Sequence, residues 1–144
     1  ATAKIAGERI ANSLALSNPH TQFISIRIGW CQPGENVPEQ MDAGGGGRNA
    51  VASSSFTRAD SVYPDDSFYD EDLILEWYKK MWLSNRDWQQ LVERCVYAEL
   101  PEDTPHHLIV NANSKNTGSR WDVSGTTRFL GYEPQDDVTR GAVK

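Results

Sequence analysis

Gly44 to Gly47 form the first stretch whose residue type could do chemistry. A glycine-rich loop can cradle a phosphate, but only with a strand before it, a helix after it and usually a Lys-Ser or Lys-Thr pair. These glycines have none of the three, so they read as a mobile loop. His106 and His107 are adjacent; on a strand they point to opposite faces and do not readily share a metal. No cysteine or carboxylate spacing completes a zinc site. The acidic run from Asp65 to Asp72 lacks the glycine and spacing of a calcium loop and reads as a solvated helix start. No nucleophile motif is present. Lys4, Trp30, Lys79, Lys80, Trp82 and Asn111 remain. Each is ordinary alone, and only a larger pattern can raise them.

The elements that must position such residues centre on Trp82 to Glu99. Trp88, Leu91, Val92, Cys95 and Val96 recur at helical spacing and form one apolar stripe. Ser84, with Asp87 three residues on, resembles a capping box. A one-sided helix of this kind needs a sheet to cover its stripe. Phe23–Ile28 and His107–Ala112 are the strand candidates, and their β-branched content suits a parallel sheet covered on both sides. Residues 2 to 17 form a first helix, with Ala3, Ala6, Ile10 and Leu14 on one face. Asn18-Pro19 ends it. Residues 31 to 69 carry turn and linker chemistry. A short helix opened by Asp70, Glu71 and Asp72 ends near Lys79 and Lys80, with Glu76 able to pair with Lys80. Asp122 can cap a last helix ending at Leu130, with Gly131 as its left-handed terminus. The tail from Gln135 reads as frayed.

The chain has 144 residues, a net charge of −6 and two cysteines. The length suits one modest domain. The acidic balance argues against nucleic acid or an anionic membrane as partner. Two cysteines are too few for a disulfide framework. A Cys31–Cys95 bridge stays open, a reducing compartment being the simpler reading. No long apolar run suits a membrane span, and the first residues lack signal-peptide order, so a cytoplasmic location is expected. The opening ATAKIAGERIANSLALS already reads as the inside of a helix, so the expectation is a domain that has been cut.

Four pieces carry a family resemblance: AKIAGERIA at 3 to 11, ISIRIGWCQPGE at 24 to 35, MWLSNRDWQQLVERC at 81 to 95, and NANSKNTGSRWD at 111 to 122 with LGYEPQDD at 130 to 137. Together they resemble the C-terminal part of an extended short-chain dehydrogenase/reductase. The branch is that of NAD-dependent epimerase/dehydratases, which includes uronate dehydrogenases. The resemblance implies an α/β fold, the C-terminal part of a Rossmann-type doubly wound parallel sheet with a small substrate-side helical region. It divides the chain into 1–35 (lysine helix and strand), 36–70 (flexible insertion) and 71–144 (substrate side).

It further implies NAD or NADP as cofactor of the full-length enzyme, and a sugar, uronate or nucleotide sugar as substrate. Lys4 matches the lysine of the Tyr-x-x-x-Lys motif, where it bonds the nicotinamide ribose and lowers the phenol's pKa. The tyrosine would sit immediately before Ala1, and the glycine-rich dinucleotide loop would lie further upstream. Ile28 and Gly29 match backbone that approaches the nicotinamide. Trp30 and Cys31 match substrate-facing positions. Lys79 or Lys80 falls near the cation that pairs with a uronate carboxylate, without the bidentate fork of arginine. A homodimer through the first helix, and no turnover by this chain alone, complete the expectation. The alternative is a non-catalytic module that binds sugars or proteins.

Overall fold

A computed structural model describes residues 2–41 and 71–141, with the side chains of 71–74 outside that description. The glycines at 44–47 and the acidic residues 65–70 therefore lie outside the described residues. In chain order the elements are α1 (Thr2–Ser17), β1 (Phe23–Ile28), a 3₁₀ turn (Pro38–Gln40), α2 (Glu71–Lys79), α3 (Asn85–Tyr97), β2 (His107–Ala112) and α4 (Ser124–Leu130).

The β-branched runs FISIRI and HLIVNA form the two strands. They pair in parallel, from Phe23 opposite His107 to Ile28 opposite Ala112. Strand alternation then sorts the side chains. Ile24, Ile26, Leu108, Val110 and Ala112 face one way and pack with Leu83, Leu91, Leu130 and Tyr132. The opposite face meets α1. There the Arg27 guanidinium forks onto the Glu8 carboxylate at 2.7 and 2.9 Å, and Ser25 Oγ lies 2.9 Å from His107 Nε2. Arg27 interrupts the apolar pattern because its partner waits on the helix. Helices thus cover both faces of a parallel pair. The fold is α/β, consistent with the C-terminal part of a Rossmann-type sheet. Among the described residues no helix is long and apolar enough to cross a membrane, and no group of metal-ligating residues gathers.

Two helices turn differently from their expected stripes. On α1 the buried arc runs through Glu8, Ala11 and Ala15, while Ile10 and Leu14 are exposed along with Ile5 and Leu16. On α3, Leu91 is fully buried and Trp88 and Cys95 pack on the core, but Val92 and Val96 are 40% and 66% exposed. The inward arc instead includes Asp87, which is itself fully buried.

The cap at α3 forms as expected, with Ser84 Oγ accepting from Asp87 N at 3.0 Å. The Asp87 carboxylate does not close the box. It accepts from Gln135 N at 2.8 Å and Asp136 N at 3.1 Å. This clamp corrects the frayed tail: Pro134 and Asp136 are buried, and Asp137 bridges back to Gly141. Burial pushes the Asp137 carboxyl up, but hydrogen bonds from Thr117 and Thr139 outweigh it and hold the pKa down at about 2. Asp87→Asn should test the clamp. A carboxamide oxygen can serve one of the two amides, leaving the other facing an NH₂ group, so the expected loss is about 2 kcal/mol in urea unfolding. Amide exchange at Gln135 and Asp136 should rise with it. Unchanged exchange there would show that the tail is held by something else.

At α4, Asp122 accepts from Ser124 N at 2.8 Å, which with the Ser124 hydroxyl lowers its carboxyl pKa. Gly131 ends the helix at φ 65°, the left-handed conformation expected of it.

Candidate functional site

Parallel strands present their carboxyl ends on one side, and ligands of open α/β sheets bind there. In this chain that edge is extended by backbone pairing beyond the strands. Gly29 N donates to Ala112 O at 2.8 Å, Trp30 N to Met81 O at 2.6 Å, and Leu83 N to Trp30 O at 2.8 Å. Trp30 and Trp82 thereby form a parallel bridge. The turn after α2 becomes a short third rung beside the exit of β1.

This pairing brings together most of the residues singled out in the sequence. The Trp30 ring lies 4.9 Å from that of Tyr78, tilted at 46°. Tyr78 in turn meets Trp77 edge-on at 5.4 Å. Trp30 is half-buried, and its Nε1 has no hydrogen-bond partner among the described residues. Cys31 Sγ reaches Leu83 O at 3.5 Å, and partial burial pushes its thiol pKa up, so it is no ready nucleophile. Both cysteines are free thiols. Lys79 ends α2. Lys80 follows it, with Nζ 2.8 Å from Glu76 Oε1 and its side chain packing near Gly118 of the loop after β2. Asn111 does not join this edge: its Nδ2 donates to Asp122 O at 2.8 Å and steadies the approach to α4.

Trp82 is wholly buried and acts as a post for the turn. Its Nε1 donates to the Asn36 carbonyl at 3.1 Å and to Asn36 Oδ1 at 3.2 Å. Asn36 Nδ2 donates to Leu83 O at 2.7 Å, and Asn85 Nδ2 donates to Gly34 O at 2.9 Å. Asn36 holds φ 52°, a left-handed conformation that asparagine tolerates better than most residues. Asn36, Pro38 and Met41, at the start of the stretch expected to be a flexible insertion, are buried. Sequence reasoning also misses Asn113. It is fully buried beneath Gly29, and neither side-chain atom has a partner among the described residues.

Ile28 and Lys4 are placed differently. Ile28 ends β1 and is 52% exposed. Lys4 is exposed on α1. Only residues 18–22 join α1 to β1, so the two run antiparallel, and the Glu8–Arg27 pair fixes their level. One turn before Glu8 is about 6 Å further toward the strand's carboxyl end, roughly the height of Gly29. The Lys4 and Ile28 side chains are both exposed near this edge. At Gly29 the space a side chain would fill is taken by Met81 O, Asn113 Oδ1 and Ala112 O. Its glycine identity is explained by packing within the chain.

Above Asn113, the Tyr132 hydroxyl donates to its carbonyl at 2.9 Å. Burial, with Asp87 and Asp136 nearby, raises the Tyr132 pKa far beyond the phenol range, so it is a structural donor and not an acid or base.

No protein-family profile and no solved structure matches the chain. A curated relative does: over 134 residues the chain is 28% identical to the L-arabinose 1-dehydrogenase (NAD(P)(+)) of Haloferax volcanii, across 93% of this chain. The match covers 41% of that protein, so the chain spans about two-fifths of the length of the curated relative it is similar to.

Proposed function

We propose that the chain is the substrate-side portion of an NAD(P)-dependent sugar dehydrogenase of the cytoplasm. The observation that carries this reading is the strand-exit edge. There, backbone pairing joins Gly29–Trp30 to Met81–Leu83 and sets aromatic and charged side chains beside the level of Lys4. The likeness to an L-arabinose 1-dehydrogenase supports it. When bound, the nicotinamide would accept a hydride from a sugar carbon. The chain's own part is to hold and orient. Lys4 would bond the ribose hydroxyls, the backbone at Ile28 would approach the ring, and Trp30, Cys31 and Lys80 would border the sugar, with Lys79 behind them on the helix. The 144 residues contain no Tyr-x-x-x-Lys and no Gly-x-Gly-x-x-Gly, so turnover would require those parts from outside this stretch. A homodimer through α1 belongs to the same proposal, supported by Ile10 and Leu14 standing exposed on the side of the helix that also carries Ala3 and Ala6.

A chimera tests it. The N-terminal part of the L-arabinose 1-dehydrogenase, joined to this chain in place of its matching section, should reduce NAD⁺ or NADP⁺ with an aldose. The chain alone should not. A chimera that folds and binds NADPH but oxidises no sugar would overturn the reading.

A further inference from the structure

We infer that Trp77 and the Glu76–Lys80 ion pair form a stacking platform for a neutral sugar ring, one that discriminates against uronates. The inference rests on the sugar-binding reading above for its ligand class and goes beyond it in naming the surface and the charge preference.

Trp77 is 55% exposed although it is among the most apolar side chains. Its ring is not free to drift, because Tyr78 braces it edge-on and Trp30 braces Tyr78. The platform is therefore tied to the exit of β1. A rigid, exposed indole face offers its π surface to the axial C–H groups of a pyranose, while the ring hydroxyls project sideways. On a helix each residue advances by about 100°. Glu76 and Lys80 therefore lie on the same flank of Trp77, and the bond from Lys80 N to Glu76 O continues that geometry past the end of α2. Tyr78 takes the other flank. Lys79 falls on the far side of the helix, about 160° from Trp77.

The flank thus presents a carboxylate and an ammonium 2.8 Å apart. Such a pair suits a vicinal diol, one hydroxyl donating to Glu76 and the next accepting from Lys80. It does not suit a carboxylate. Lys80 is already paired with Glu76, and Glu76 repels a second anion, its own pKa lowered by the Lys80 bond. Of the two lysines, Lys79 and Lys80, that the sequence resemblance sets near a uronate carboxylate, Lys80 is therefore paired with a neighbour one helical turn away.

Saturation-transfer NMR on the full chain tests this with D-galactose and D-galacturonate as probes. The expected result is transfer from aromatic protons to one face of galactose, with galacturonate binding more weakly. Trp77→Ala should weaken galactose by about tenfold, a change of about 1.4 kcal/mol, and Trp77→Phe should retain part of it. Glu76→Gln should free Lys80 and reverse the order, so that galacturonate binds better. Equal galactose binding by Trp77→Ala, a native preference for galacturonate, or no binding of either sugar would overturn the inference. The chimera separates the two claims. Oxidation of an aldose unaffected by Trp77→Ala removes the platform and keeps the dehydrogenase. Galactose binding lost in Trp77→Ala, with no NAD(P)-linked oxidation by the chimera, does the reverse.

Discussion

Replacing Gly29 with alanine should cost at least about 3 kcal/mol, because the added methyl has nowhere to go. A Cβ at this position would collide with Met81 O and stand 2.7 Å from Asn113 Oδ1 and 2.9 Å from Ala112 O. Two of these atoms are backbone and cannot rotate away. Both also accept hydrogen bonds from this very segment, Ala112 O from Gly29 N and Met81 O from Trp30 N. Retreat would break the pairing that aligns the turn with β1. Gly29 is not in a left-handed conformation, so the penalty is one of contact alone. Gly125 supplies the control. It lies in α4, and a methyl added there would meet nothing within 4 Å, so Gly125→Ala should stabilise by about 0.5–1 kcal/mol. Urea midpoints of the two variants should move in opposite directions. If Gly29→Ala leaves the midpoint in place, the close approach of the two segments is absent, and with it the frame of the proposed sugar edge.

What can be read from the sequence is what local pattern determines. β1, β2 and α1 declare themselves through β-branched alternation and the Asn18-Pro19 stop, and Ser84 through its spacing from the first turn of α3. Charge spacing alone is enough for the Glu76–Lys80 pair. Contacts between distant segments are not legible. Asp87 resembles half of a capping box because Ser84 is three residues away, yet its carboxylate serves amides at Gln135 and Asp136. The buried arc of α3 runs through Asp87 and leaves Val92 and Val96 outside. Gly29 marks a strand exit, but nothing local says that Met81 passes so near. Helical spacing gives Trp77 only Leu73 as a neighbour; its exposure and its tie through Tyr78 to Trp30 depend on the fold.

Asn36 shows the same limit with a larger consequence, and Asn36→Ala should destabilise the chain by about 3–7 kcal/mol, the sum of the costs that follow. Its surroundings, Pro33, Gly34 and Pro38, are turn chemistry, so composition gives no reason to expect a buried tether. Yet Asn36 is 1% exposed. Its Oδ1 accepts from Gln32 N at 2.9 Å and Trp82 Nε1 at 3.2 Å. Its Nδ2 donates to Leu83 O at 2.7 Å and Asn85 Oδ1 at 3.2 Å. Alanine keeps only the backbone carbonyl bond to Trp82. It strands Gln32 N and leaves Leu83 O only the weak Cys31 Sγ contact, at about 1–3 kcal/mol for each group so deprived. It must also hold φ 52°, which costs a residue with an ordinary Cβ about 1 kcal/mol. Asn36→Gly separates the two causes. Glycine relieves the backbone but not the lost hydrogen bonds, so it should recover about 1 kcal/mol relative to alanine. The site should feel both variants, because Trp82 is the post on which the turn pairs with Trp30. Galactose binding should weaken in proportion to the loosening of that turn. If both variants unfold at the native urea midpoint, then the Gln32–Met41 segment does not brace the turn, and Trp82 must be held by the core alone.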